Sequence, residues 1–347
     1  ARPACVFGFI KPYLLRFFVY KINHKKMENK ECCKNTNNHE KSERGYILPA
    51  YVLPISILSA SIIFGGALVY SSNTNSIDSN KQNNEPVSAT QNEQQILARE
   101  EKIGPSKGVE IPIQWKGFGK MMVDAGVIDQ QKFEDLYNDR GGLDQNTKAL
   151  LTSNEDQQLV INRDNAGAIL NLLWAFGLGN KSDILEQGPM QDPQYGGAGN
   201  FAATGGWTIA KGGAMDHYSK HSFIALSSDQ KLLVEKVSKG IFRPCCGNST
   251  YFPDCNHGMA MLGLLEIMAT QGATEDQMYK TALAVNSYWF PETYINIAKY
   301  LEGKGIDWDA VDPKEILGAS YSSAQGYKQI LSQVEPVQKK SSGGCGV

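Results

Sequence analysis

The chain has 347 residues, 41% of them hydrophobic, enough for one sizeable core with appendages. Its net charge of −2 is unevenly spread: residues 1–45 hold ten Lys or Arg against four Glu, and residues 101–347 hold 22 basic against 28 acidic side chains. A mildly acidic globular part lacks the basic face that nucleic acid requires, so no nucleic-acid partner is expected.

The N-terminal region reads as a membrane anchor. Tyr46 to Tyr70 (YILPAYVLPISILSASIIFGGALVY) carries no charge over 25 residues, enough for a helix to cross a hydrocarbon core roughly 30 Å thick. Tyr46, Tyr51 and Tyr70 bracket it as an interfacial belt, and no small-residue cleavage site follows, so 46–70 predicts an uncleaved single-pass transmembrane helix. Lys25, Lys26, Lys30, Lys34, Lys41 and Arg44 precede the run and no comparable cluster follows it. The positive-inside bias then places residues 1–45 in the cytoplasm and everything after Tyr70 outside. Met27 is the first methionine, so residues 1–26 read as upstream sequence or the tail of another segment. By this topology Cys32 and Cys33 are cytoplasmic, either reduced or lipidated near the membrane.

Residues 71–107 are rich in Ser, Asn, Gln, Glu and Lys and predict a flexible tether, with a short helix over 93–102 compatible with it. The folded domain is expected over 108–335, followed by a flexible tail over 336–347 that carries Cys345. Helix signals dominate the domain. Asp129 caps QQKFEDLY; Asn165 to Phe176 is apolar on all sides and is expected to stop at Gly177. Ser227-x-x-Gln230 and Thr274-x-x-Gln277 are capping boxes, Pro291 starts the next helix, and Asp312-Pro313 starts a last short one. No sustained alternation marks a strand, so the fold class is mainly α, one compact helical domain. A glycine-dense stretch between Gly188 and Gly213 lacks the GK[ST] ending of a phosphate loop. It predicts a long irregular loop packed by Tyr195, Phe201 and Trp207, a candidate wall for a site.

The chemistry concentrates in Arg243 to Gln271, RPCCGNSTYFPDCNHGMAMLGLLEIMATQ, which holds Cys245, Cys246, Cys255 and His257. Asp254 reads as the N-cap of the apolar helix that follows, with Cys255 and His257 in its first turn, where free N–H groups favour a thiolate. Three thiols and an imidazole suit tetrahedral zinc or, as soft donors, monovalent copper. The C-C-x8-C-x-H spacing lacks paired C-x2-C knuckles, so two alternatives stay open: a structural disulfide from Cys245 or Cys246 to Cys255, and a thiol–disulfide oxidoreductase that works with a thiol partner protein. No other nucleophile–base set presents itself. Residues 255 and 257, two apart, do not face each other on a regular helix, which points to binding rather than catalysis.

His217 and His221 are four apart in MDHYSKHSF and would share a helix face; with Cys345 they are candidate additions to the metal set. The Glu of a zinc-protease pattern is missing, so hydrolysis is not implied. Asp307, Asp309 and Asp312 lack the glycine and glutamate of a calcium loop and read as a capped turn. Asn248-Ser-Thr250 is a glycosylation acceptor only in a eukaryotic secretory host.

Overall fold

The computed structural model describes residues 85–205 and 208–335. The predicted membrane span at 46–70, Cys32, Cys33, Trp207 and the tail with Cys345 lie outside the described residues. Among the described residues no helix is long and apolar enough to cross a membrane.

The described part is mainly helical. In chain order it runs α1 (Glu85–Ile103), β1 (Val109–Gln114), α2 (Phe118–Asp124), α3 (Gln130–Asn138), α4 (Gln145–Thr152), β2 (Gln158–Ile161), α5 (Ala166–Gly179) and α6 (Asp183–Gln187). After a loop of short 3-10 turns come α7 (Ser228–Gly240), α8 (Asn256–Thr270), α9 (Glu275–Trp289), α10 (Pro291–Glu302), α11 (Pro313–Ile316), α12 (Ala319–Ser322) and α13 (Ala324–Leu331).

The caps sit where the side chains dictate. Asp129 accepts from the Lys132 amide, and Ser227–Gln230 and Thr274–Gln277 form reciprocal capping boxes. Asp307 caps a 3-10 turn and Asp312 the start of α11, which uses up the acidic triplet as turn formers.

Two expectations need correction. The tether was expected to run to residue 107, but α1 fills 85–103 and is tied to the fold. Arg99 pairs with Glu302 at 2.8 Å, Lys102 with Asp307 at 2.7 Å, and Ile103 is buried. The sequence reading allowed only a short helix over 93–102; in that part the polar side chains hide the docking edge made by Arg99, Lys102 and Ile103. The other correction concerns α5, which passes Gly177 and ends at Gly179. A Cβ at Gly177 would lie 2.2 Å from the Met259 carbonyl oxygen, and one at Gly263 would lie 2.6 Å from that of Leu173. These glycines let α5 and α8 cross backbone to backbone at the centre of the core, so Gly177 serves packing, not termination. A small antiparallel pair also escaped the sequence reading: β1 and β2 align Val109 with Ile161 and Ile111 with Leu159, burying Ile111, Leu159 and Ile161.

Candidate metal centre

The centre is built where α7 gives way to α8. After Gly240 the chain turns back, and an antiparallel bridge between Phe242 and Ser249 closes the loop 243–248. Within it the Cys246 amide donates to the Arg243 carbonyl at 3.3 Å, a tight turn with Pro244 at its favoured second position. The Ala324 amide donates to the Cys246 carbonyl at 2.9 Å and pins the turn to the start of α13. The chain then runs through Pro253 to Cys255.

Cys255, rather than the expected Asp254, is the N-cap of α8, with extended backbone angles (φ −126°, ψ 166°). Its side chain is therefore freed from helical spacing. The sulfur comes within 4.8 Å of a ring nitrogen of His257, an approach that regular helical geometry at i and i+2 would not give. Two triads share Cys255: Cys245, Cys255 and His257, and Cys246, Asp254 and Cys255, with donor atoms all within 4.8 Å of one another in each. The four residues expected to form one quartet thus divide. The Cys246 sulfur sits 3.9 Å from Asp254 Oδ1 and belongs with that carboxylate rather than with His257.

The two triads are not equivalent. Asp254 already accepts from Arg243 Nη2 on one oxygen and from Asn248 Nδ2, at 2.8 Å, on the other. A cation there would compete with a buried guanidinium. In the Cys245–Cys255–His257 set the guanidinium reaches only Cys255, through a single N–H, and leaves Cys245 and His257 free of it, so this set can hold a metal ion. His257 is held by aromatic packing, its ring centroid 4.4 Å from that of Phe290 and 5.8 Å from that of Trp289.

Arg243 organises the centre, and the sequence reading missed it. It is 2% exposed, and it donates from Nε to Cys255 Sγ at 3.0 Å, from Nη1 to the Asn248 carbonyl at 3.1 Å, and from Nη2 to the Phe252 carbonyl at 2.9 Å and to Asp254. Gly258 makes room for it, since a Cβ there would sit 2.5 Å from the guanidinium carbon. The one sequence signal was a lone arginine beside Pro-Cys-Cys, with a glycine just inside a buried helix.

These contacts decide which sulfur carries charge. Hydrogen bonds from the Cys245 and Cys246 thiols, then His257 and the Arg243 charge, outweigh burial and hold Cys255 well below the usual thiol range. Cys245 is pushed up by its hydrogen bonds to Cys246 and Cys255 and by burial. At Cys246 the Cys245 hydrogen bond lowers the thiol, but Cys255 and burial win and raise it to about 11. Of the three sulfurs, Cys255 is the one whose surroundings favour the thiolate.

Cys245, Cys246 and Cys255 are free thiols, with 3.5 Å between the sulfurs of 245 and 255. That is a thiol–thiolate hydrogen bond; a disulfide needs about 2 Å. The glycine-rich loop does wall the centre. Tyr195, Phe201 and Phe252 form an aromatic trio with centroids 5.3 Å apart, and the Ala203 amide donates to the Asp254 carbonyl at 3.0 Å.

His217 and His221 do not join the set, and they are not on a helix. They flank a turn at Ser219, whose φ of 54° is left-handed. Their Nδ1 and Nε2 atoms are 3.0 Å apart, and His217 Nε2 lies 2.9 Å from the Lys211 carbonyl. A carbonyl only accepts, so His217 Nε2 carries the proton; its Nδ1 accepts from His221 Nε2. Both facing nitrogens are spent on each other. Asp216, next to His217, accepts from the Gly213 amide at 2.8 Å. The Asn248 amide is engaged with Asp254 and Thr250 is fully buried, so the glycosylation sequence is not presented to solvent.

Set beside family models, curated proteins and solved structures, the chain matches none of them.

Proposed function

We propose that this chain binds a thiophilic metal ion, zinc or monovalent copper, through Cys245, Cys255 and His257, on a domain anchored outside the cytoplasm. The carrying observation is the mutual approach, within 4.8 Å, of two sulfurs and one imidazole nitrogen around a thiolate at a helix start. Two sulfurs and a nitrogen make a three-coordinate set for copper(I), or a zinc set with one open position. The Arg243 N–H on the Cys255 sulfur would remain, drawing charge off the thiolate and weakening its hold so that the ion can be handed on. The uncharged run at 46–70, with lysines ahead of it, supports the anchor, and Cys345 near the chain end is the natural candidate for the vacant ligand position.

A second reading has its own observation, the 3.5 Å separation of the Cys255 thiolate from the Cys245 thiol. In thiol exchange, the Cys255 thiolate attacks one sulfur of a partner disulfide and expels the other as a thiolate. Cys245, losing its proton, then attacks the Cys255 sulfur, releases the second partner thiolate and leaves a Cys245–Cys255 disulfide.

Metal analysis of the reduced, purified chain separates the two. The metal reading predicts one equivalent of bound ion, abolished by Cys255→Ser, weakened at least about tenfold by Cys245→Ser or His257→Ala, and retained by Cys246→Ser. No stoichiometric ion in the unmodified chain, together with rapid oxidation by a small disulfide that buries two thiols from counting, would install the exchange reading instead.

A further inference from the structure

A second site lies on the same helix, two to three turns beyond the metal centre and independent of it. Glu266 is 2% exposed, the one carboxylate on the otherwise apolar buried face of α8. It forms the floor of a cleft of about 520 Å³, walled by α6, α7 and Tyr251, a volume suited to a small molecule. Ile184, Leu226, Leu232 and Val234 supply the apolar wall, and Leu232 is 64% exposed at the rim.

Charges around the cleft are settled among themselves, with one exception. Lys231 pairs with Asp183 at 2.8 Å across the rim, Lys181 lies 4.0 Å from Glu186, and Glu235 pairs with Lys239. Among the described residues no Lys, Arg or His pairs with Glu266. Its carboxylate accepts from the neutral amide of Asn180 at 2.9 Å and from the Ser182 hydroxyl. A glutamine would satisfy that amide equally well without an ionisable group in the core. The carboxyl thus has only neutral hydrogen-bond partners and lines the cleft without a counter-ion.

We propose that this cleft binds a small organic cation, an amine on a compact apolar body, with its ammonium against Glu266. The apolar wall takes the body, the carboxylate takes the charge, and the Lys231–Asp183 pair closes the rim over it. Burial, with a smaller push from the nearby Asp183 charge, outweighs the hydrogen bonds from Ser182 and Asn180 and raises the carboxyl to about 7, so amine binding at mildly acidic pH must expel a proton.

Isothermal titration of the full chain with cyclohexylamine at pH 6.5, in two buffers of different ionisation enthalpy, tests this. Saturable binding with proton release is expected. Cyclohexanol and the Glu266→Gln variant should each bind at least about tenfold more weakly, as loss of a buried ion pair implies. Ser228→Trp, at an exposed position on the mouth, should block binding without touching the floor, which guards against a misfolded Glu266 variant. Equal affinity for the alcohol, unchanged affinity in Glu266→Gln, or no saturable binding overturns the proposal. Binding of a capped Gly-Lys-Gly peptide in preference to cyclohexylamine overturns its small-molecule assignment in favour of a lysine side chain.

Discussion

Arg243 buries a guanidinium almost completely, which is tolerable only because its N–H donors meet a thiolate, two carbonyls and a carboxylate. That arrangement hangs on a missing methyl at Gly258. Alanine there gains helix propensity of up to about 1 kcal/mol, but its Cβ collides with the guanidinium, and overpacking of this kind costs about 1–3 kcal/mol. The collision should win, so Gly258→Ala is expected to destabilise in urea titrations. Gly167→Ala, in α5 with nothing within 4 Å, should instead stabilise by about 0.5 kcal/mol. Matching signs for the two variants would contradict the packing account. Residue types were legible in the sequence, since Cys245, Cys255 and His257 do converge. What was not legible is which residue caps α8. That single register moves Cys255 out of the helix and lets it meet His257, and it is settled by Arg243 drawing Asp254 away from the helix end.

At the scale of elements, α8 carries the Cys–His cluster at its start, the buried Glu266 and much of the core. Its apolar pattern was readable, though not its cap, and α3, α7, α9 and α10 were readable because each has a local start signal. The close crossing with α5 was not, because Gly177 reads equally as a stop or as a contact until its neighbour Gly263 is known to face it. Nor were the full extent of α1, of which only 93–102 was allowed as helix, and the β1–β2 pair, whose partners lie far along the chain. Glu266 gives α8 a pH dependence. Its pKa rises from 4.5 to about 7 on folding, so the native state binds more protons than the unfolded state between those values. Stability is then fully present below about pH 4.5 and falls as pH rises through 7, by about 3 kcal/mol in all. Glu266→Gln, which keeps the Asn180 bond, is expected to be more stable than the unmodified chain at pH 8 and equal to it near pH 4.5. Denaturant midpoints at the two pH values check this; a difference of the same size at both would show that the carboxyl is not the source. His221 works in the opposite sense. Burial first, then His217 and Lys220, lower its pKa, so its share of stability is present above about 6.5 and is lost as pH falls toward the folded value.

For the whole molecule, the helical unit presents one soft-donor centre at the N-terminal end of its central helix. Two sulfurs and an imidazole nitrogen converge there, backed by a guanidinium and walled by the glycine-rich loop. The three cysteines of the centre are free thiols among the described residues. The most direct test is X-ray absorption at the metal edge of the reduced, zinc-loaded chain. The account predicts two sulfur scatterers at about 2.3 Å and at least one imidazole nitrogen at about 2.0 Å, with sulfur content falling in Cys255→Ser. A shell of oxygen and nitrogen alone, or a sulfur shell unchanged in Cys255→Ser, would contradict it.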